Sequence, residues 1–256
     1  MLTIIHPRVP KFLWIIKKGV LKIKRCLYCN KEFNNTKHKE CMYCSKSCSV
    51  KARYKEDLGL FRNNIEEDVK RYILGLFITD GCLTKNGKTY VMVISLKDEY
   101  MIEQIKNIVC PSKKIYKDGN NYQVRWRNNK DIKVLNRLGI HQRKTKTLLF
   151  LNIKRYKWDF IRGIFDGDGC VYNSTTKSNG IDYHYKNISF TTGSKLFAIG
   201  LNDFLNKNNI YSKINKDNRK DVWYVKIHKK EDVELFKDMI YENKKEWFLE
   251  RKYQIF

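Results

Sequence analysis

Residues 73–82, "ILGLFITDGC", align without a gap on residues 161–170, "IRGIFDGDGC", and each copy carries an aspartate directly before a glycine. Asp80 and Asp168 are acids in a strongly basic chain, with 52 Lys+Arg against 27 Asp+Glu and a formal charge of +25. Two carboxylates brought together repel and sit unfavourably at helix C-termini, so a pair kept there needs a cation to offset its cost. Hard oxygen donors suit Mg²⁺. Metal ions held by such a pair bridge a scissile phosphate, orient an attacking water and stabilise a departing 3′ oxygen. The residue types therefore point to phosphodiester hydrolysis, with Asp80 and Asp168 as Mg²⁺ ligands.

These acids need elements that bring them together. "EEDVKRYILGLFITDG" begins with acids, suited to a helix N-terminus, and ends in a glycine, suited to a C-cap, which predicts a helix over about 66–79. Gly75 and Thr79 lie four apart within it, as do Gly163 and Gly167 in the sister segment. Small residues at that spacing share a face and let two helix backbones approach closely. Packing on those faces would deliver Asp80 and Asp168 to one end of the pair. Asp166 has Ile78 as its sister and is read as a helix cap or a local hydrogen bond rather than a further catalytic acid.

The repeat extends beyond the acidic motif. "YQVRWRNNKDIKVLNRLGI" from Tyr122 pairs with "WYVKIHKKEDVELFKDMIY" from Trp223, and both alternate before turning helical in period. Val124, Trp126, Val225 and Ile227 face one way. Gln123, Arg125, Arg127, Tyr224, Lys226 and His228 face the other, and no acid stands among those six. Such a face suits DNA, with side chains that reach base edges while neighbouring lysines meet phosphates. A third match joins "QRKTKTLLF" to "ERKYQIF". Each half thus reads helix, strand pair, helix, strand pair, helix. The expected fold is α+β, with two pseudo-symmetric αββαββα repeats, 61–150 including a linker and 151–256, behind a basic segment of residues 1–60.

Charge of this magnitude attracts polyanions, nucleic acid above all. No apolar run approaches the roughly 20 residues of a membrane span. The first residues lack the order of a secretory signal, so an intracellular protein is expected. Five of the eight cysteines fall in "CLYCNKEFNNTKHKECMYCSKSC", spaced C-x2-C-x11-C-x2-C-x3-C. In a reducing compartment such clustering holds metal, and paired short spacings converge thiolates on Zn²⁺. Cys26 and Cys29 form one pair. The second is Cys44 and Cys48 at the start of a helix, the preferred reading, or Cys41 and Cys44 as a second knuckle. His38 is read as a loop residue, and Cys82, Cys110 and Cys170 as isolated structural thiols.

The two acidic segments together resemble the paired motifs of LAGLIDADG homing endonucleases in their monomeric, two-motif form, across about residues 66–256. The resemblance implies a DNA-binding saddle built by two sheets, with the motif helices at their interface. It also implies metal-dependent double-strand cleavage of DNA that leaves 3′ overhangs. Ile78 and Thr79 depart from the family's motif in the first copy, and Arg162 in the second; neither final acid is touched. Members of this family are expected to place a lysine near each active site, and the third repeat match assigns Lys144 and Lys252, with Lys146 as the competitor of Lys144. The Cys-rich segment resembles small treble-clef or ribbon-like zinc fingers. Two other functions fit the same residues: an RNA maturase acting on intron RNA, and a DNA-binding regulator on a retired nuclease scaffold.

Overall fold

The computed structural model describes residues 23–34, 41–53, 57–87, 89–242 and 244–256. The chain falls into two compact units that divide between residues 55 and 56. In the first, strands β1 (Ile23–Arg25) and β2 (Glu32–Asn34) pair antiparallel, and helix α1 spans Lys46–Arg53. His38 lies outside the described residues.

In the second unit, one repeat runs α2 (Glu67–Asp80), β3 (Gly81–Asn86), β4 (Thr89–Leu96), α3 (Glu99–Val109), β5 (Tyr116–Asp118), β6 (Asn121–Trp126) and α4 (Asn129–Arg137). A segment with a 3-10 turn at Lys144–Lys146 connects it to the next. The second repeat runs α5 (Lys157–Asp168), β7 (Gly169–Ser178), β8 (Ile181–Thr192), α6 (Lys195–Lys207), β9 (Lys213–Asp217), β10 (Val222–Ile227) and α7 (Lys230–Tyr241), and a single turn, α8 (Glu250–Tyr253), follows. Each repeat builds one four-stranded antiparallel sheet, ordered β3-β4-β6-β5 and β7-β8-β10-β9. This is an α+β fold of two αββαββα repeats.

Strand alternation sorts the side chains. Met92 and Ile94 of β4 sit opposite Trp126 and Val124 of β6, all fully buried, and Ile188 and Phe190 of β8 sit likewise opposite Ile227 and Val225 of β10. These rows form the cores under the helices, where burial of apolar surface supplies the main folding drive. The equivalent helices α3 and α6 begin at Asp98 and Ser194, and the Ser194 hydroxyl caps its helix by accepting from the Phe197 N–H at 3.3 Å. The two halves differ in the length of their first hairpin. The β7–β8 hairpin pairs ten residues with register Gly169 to Phe190 through Ser178 to Ile181, whereas β3–β4 pairs six.

Candidate metal centre and polar sheet faces

Helices α2 and α5 pack backbone on backbone. A Cβ placed on Gly75 would lie 2.3 Å from the Phe160 carbonyl, and one on Gly163 2.1 Å from that of Tyr72. One turn further on, a Cβ on Gly167 would meet Thr79 Oγ1 at 1.9 Å and Asp80 Oδ2 at 3.2 Å. Thr79 folds its hydroxyl back onto the Leu76 and Gly75 carbonyls at 3.0 and 3.2 Å, and that hydroxyl fills the space a side chain on Gly167 would need. The two helices therefore end side by side at Asp80 and Asp168. Gly81 and Gly169 close them with N–H donation to the Phe77 and Phe165 carbonyls, in extended rather than left-handed conformation. Their lack of a side chain matters for room against those phenylalanines.

The electrostatics at that end are strained. Burial raises Asp80 above its ordinary range against the pull of Lys252, Arg251 and Lys144. Asp168 reaches solvent yet is walled by protein on its other sides; desolvation, then the Asp80 charge, lifts it to about 6. Two buried lysines stand beside the acids. Lys144 donates to the Gly81 carbonyl, and Lys252 donates to the carbonyls of Phe165, Gly167 and Gly169 at 2.8, 3.1 and 2.6 Å. Burial lowers both ammonium groups; Cys82, then Asp168 and Asp80, partly restore Lys144, and Asp166, then Asp80 and Asp168, partly restore Lys252. Each cation thus closes the end of one motif helix, where unpaired carbonyls concentrate. Lys146 points elsewhere and pairs with Asp221 at 2.7 Å on the surface.

The lysine-bearing segments each reach across to the other repeat at the same place in its fold. Ser194, at the start of α6, donates to the Leu148 carbonyl at 2.6 Å. Asp98, at the start of α3, accepts from Arg251 at 2.9 Å, and Tyr100 donates to the Phe248 carbonyl at 2.7 Å. A cleft of about 420 Å³ opens beside this centre and is lined by Thr79, Asp80, Cys82, His141, Arg143 and Lys144 among others. A larger one, about 570 Å³, lies against α7 and the C-terminal turn and contains neither acid. Proximity to the carboxylates, not size, marks the chemistry.

Two family profiles match the chain: "LAGLIDADG-like domain" over residues 155–241 and "WhiA LAGLIDADG-like domain" over residues 69–150, one per repeat. The chain belongs to the LAGLIDADG family. Its fold is similar to that of meganuclease I-SmaMI bound to uncleaveable DNA, at TM-score 0.51 and 16% identity, covering 72% of this chain and 86% of that one. I-SmaMI bound to cleaved DNA matches at 0.50 and 15%, covering 70% and 85%, and the homing endonuclease I-GzeII in complex with its DNA target at 0.50 and 15%, covering 72% and 86%. No curated protein sequence matches the chain.

In this LAGLIDADG chain the sheet faces turned away from the helices are polar, but not as a row of free side chains. Gln123 is buried and committed internally: its amide donates to Asp118 at 2.8 Å and its carbonyl accepts from Arg125 at 2.7 Å. The expectation of a long glutamine reaching outward is corrected here, because its neighbours on β5 and β6 satisfy it. Arg125 lies over the Tyr116 ring at 4.8 Å, so its guanidinium is held in place. Arg127 and His228 fall just past the ends of β6 and β10. His228 shares a 2.9 Å bond with Asn187, and burial, then Lys226 and Lys213, depresses its pKa. Lys226 rests 5.4 Å over the Tyr224 ring.

Sequence reasoning overlooked several neighbours. By register, Tyr183 and Tyr185 of the long hairpin share the face of Asn187, and their exposed rings stack at 6.5 Å. Cys82 and Cys170, expected as structural thiols, are exposed on the polar faces at equivalent positions. Cys110 is buried, and that burial pushes its thiol up to about 12.

In the first unit, Cys26, Cys29, Cys44 and Cys48 bring their sulfurs within 4.8 Å of one another, the Cys29–Cys44 and Cys44–Cys48 pairs at 3.5 Å. Thiolates sharing one Zn²⁺ at about 2.3 Å stand roughly 3.8 Å apart, so the donor set fits. Burial opposes charge on Cys26, but N–H groups of Cys29, Cys44 and Tyr28 lower it to about 6. Cys41 turns away, with its thiol on the Tyr43 carbonyl at 3.2 Å.

Proposed function

We propose that the chain is a site-specific DNA endonuclease that makes double-strand breaks by Mg²⁺-dependent phosphodiester hydrolysis and leaves 3′ overhangs. One observation carries the reading: the two motif helices end in adjacent, partly desolvated carboxylates, each helix end closed by a buried lysine. I-SmaMI and I-GzeII, of the same fold, are described bound to DNA targets, which supports duplex DNA as the partner. Asp80 and Asp168 would hold Mg²⁺, which supplies charge neutralisation for the scissile phosphate and activation of water. Lys144 and Lys252, cationic beside them, favour the charge that develops on the transferring group. Arg125, Arg127, Tyr224, Lys226 and His228 supply the DNA face, with Gln123 bracing Arg125, and the enzyme works as a monomer because both half-sites lie on one chain.

The test is cleavage of a randomised target library in Mg²⁺ and in EDTA. Specific breaks with 3′ overhangs, absent in EDTA, support the reading. A folded protein that binds structured RNA or duplex DNA without cutting would replace it with the maturase or regulator.

The N-terminal unit is assigned one structural Zn²⁺ on Cys26, Cys29, Cys44 and Cys48, adding DNA affinity. Purified protein is expected to carry one zinc per chain by elemental analysis. Cys29→Ser is expected to lose it and Cys41→Ser to keep it; equal retention in both would displace the assignment.

A further inference from the structure

The second repeat buries a polar cluster that the first lacks. Asp166 is fully buried, and its Oδ2 accepts from the Tyr72 hydroxyl at 2.8 Å and from the Leu249 N–H at 2.9 Å. The Leu249 carbonyl accepts in turn from the N–H groups of Lys252 and Tyr253 at 2.9 and 3.1 Å. Arg162, also buried, donates to the carbonyls of Trp247 and Ile240 and to Asp159, each at 2.7 Å, and its guanidinium lies 5.4 Å from the Tyr72 ring centre. Residues 240–249 are thus latched at three backbone groups, and the last latch opens the turn that carries Lys252. Polar groups this deeply buried are costly unless partnered, so the bonds on Asp166 Oδ2 and on Arg162 specify one geometry, although Asp166 Oδ1 itself has no hydrogen-bond partner among the described residues.

The first repeat solves the same position without polarity. Ile78, Leu74 and Phe160 stand where Asp166, Arg162 and Tyr72 do; the Lys144 segment keeps the contact to the start of α6 through Ser194, as the Lys252 segment keeps those to the start of α3. Among the described residues Lys144 donates to the Gly81 carbonyl, whereas Lys252 donates to three carbonyls.

We infer that Asp166, braced by Tyr72 and Arg162, is a positioning residue for Lys252, acting through the Leu249 amide, and that the two cleavage half-sites are therefore held unequally. That Lys252 serves strand cleavage rests on the proposed function; that Asp166 holds Lys252 does not.

The decisive variant is Tyr72→Phe/Asp166→Ile, which installs the side-chain types of the equivalent positions, Phe160 and Ile78, and leaves no orphan hydroxyl. Asp166→Asn, which keeps an acceptor for Leu249, is the conservative rescue. The first readout needs no DNA: lysine acetylation by acetic anhydride in the folded proteins, resolved by peptide mass spectrometry. Lys252 is expected to react at least about tenfold faster in the double variant, with Lys144 unchanged, and Asp166→Asn is expected to stay near wild type. Unchanged Lys252 reactivity in a double variant with native circular dichroism overturns the inference. So does an equal rise at both lysines, which would report general loosening.

The second readout is single-turnover cleavage with each strand labelled separately. One strand is expected to slow about tenfold and nicked product to accumulate, with restoration in Asp166→Asn. Equal slowing of both strands overturns the unequal half-sites. Absence of cutting by the wild type overturns the nuclease reading alone, since the acetylation result stands apart from it.

Discussion

Asp168→Asn is expected to lower double-strand cleavage by roughly 10²–10³-fold or more while making the metal-free protein more stable at pH 7. The two effects share one cause. A carboxylate at this site is desolvated and faces Asp80, which raises its pKa from 3.8 to about 6. An acid raised in the folded state contributes stability that is fully present below its unfolded pKa and lost as pH rises through its folded one. At pH 7 the metal-free protein therefore carries an ionised acid that folding disfavours, and asparagine removes it. Because Asp168 reaches solvent, screening reduces the gain to about 1 kcal/mol, or some 2–4 °C for a protein of this size. The difference in melting temperature between variant and wild type is expected to close as pH falls from 7 to below 4. A variant that is less stable than wild type at pH 7 would mean that Asp168 is held by attraction, and the case for a cation at that point would fail.

That acid pair was legible in the sequence because everything needed to find it is local and repeated. The glycines, the small residues at four-residue spacing and the final aspartates occur twice in one register, and strand alternation after them sorted core from surface. The Cys26, Cys29, Cys44 and Cys48 cluster was legible for the same reason, although only the turn of Cys41 toward the Tyr43 carbonyl separates it from the competing set. What escaped depends on partners far away in the chain. Asp166 was read as a cap or a local bond because its sister is Ile78, yet its partners Tyr72 and Leu249 lie 94 and 83 residues off. Comparison of repeats is blind to this, since it finds only what both halves share. Gln123 looked like a free reader of DNA until Asp118, on the neighbouring strand, claimed its amide. The strand pair after the second motif helix was expected, but the length of the β7–β8 hairpin was not, because "NSTTKSNGIDYHYK" has little apolar alternation to announce strands.

Gly163→Ala is expected to destabilise the protein by about 3 kcal/mol or more. Helix propensity argues the other way: alanine in a helix interior is favoured over glycine by about 1 kcal/mol. Packing decides the sign. The new Cβ would stand 2.1 Å from the Tyr72 carbonyl, 2.9 Å from the Leu76 nitrogen and 3.0 Å from the Gly75 Cα. All three are backbone atoms of the facing helix, so no side-chain rotation relieves the clash, and α2 and α5 must separate. Separation moves Asp80 away from Asp168, so the folded fraction of the variant is expected to lose cleavage too. Gly75→Ala meets the Phe160 carbonyl at 2.3 Å and is expected to behave alike. Urea denaturation measures the first effect, and cleavage at low temperature, where the variant stays folded, measures the second. Unfolding at the wild-type midpoint would show that this helix pair tolerates a methyl at its closest point, and the geometry that brings the two acids together would need another cause.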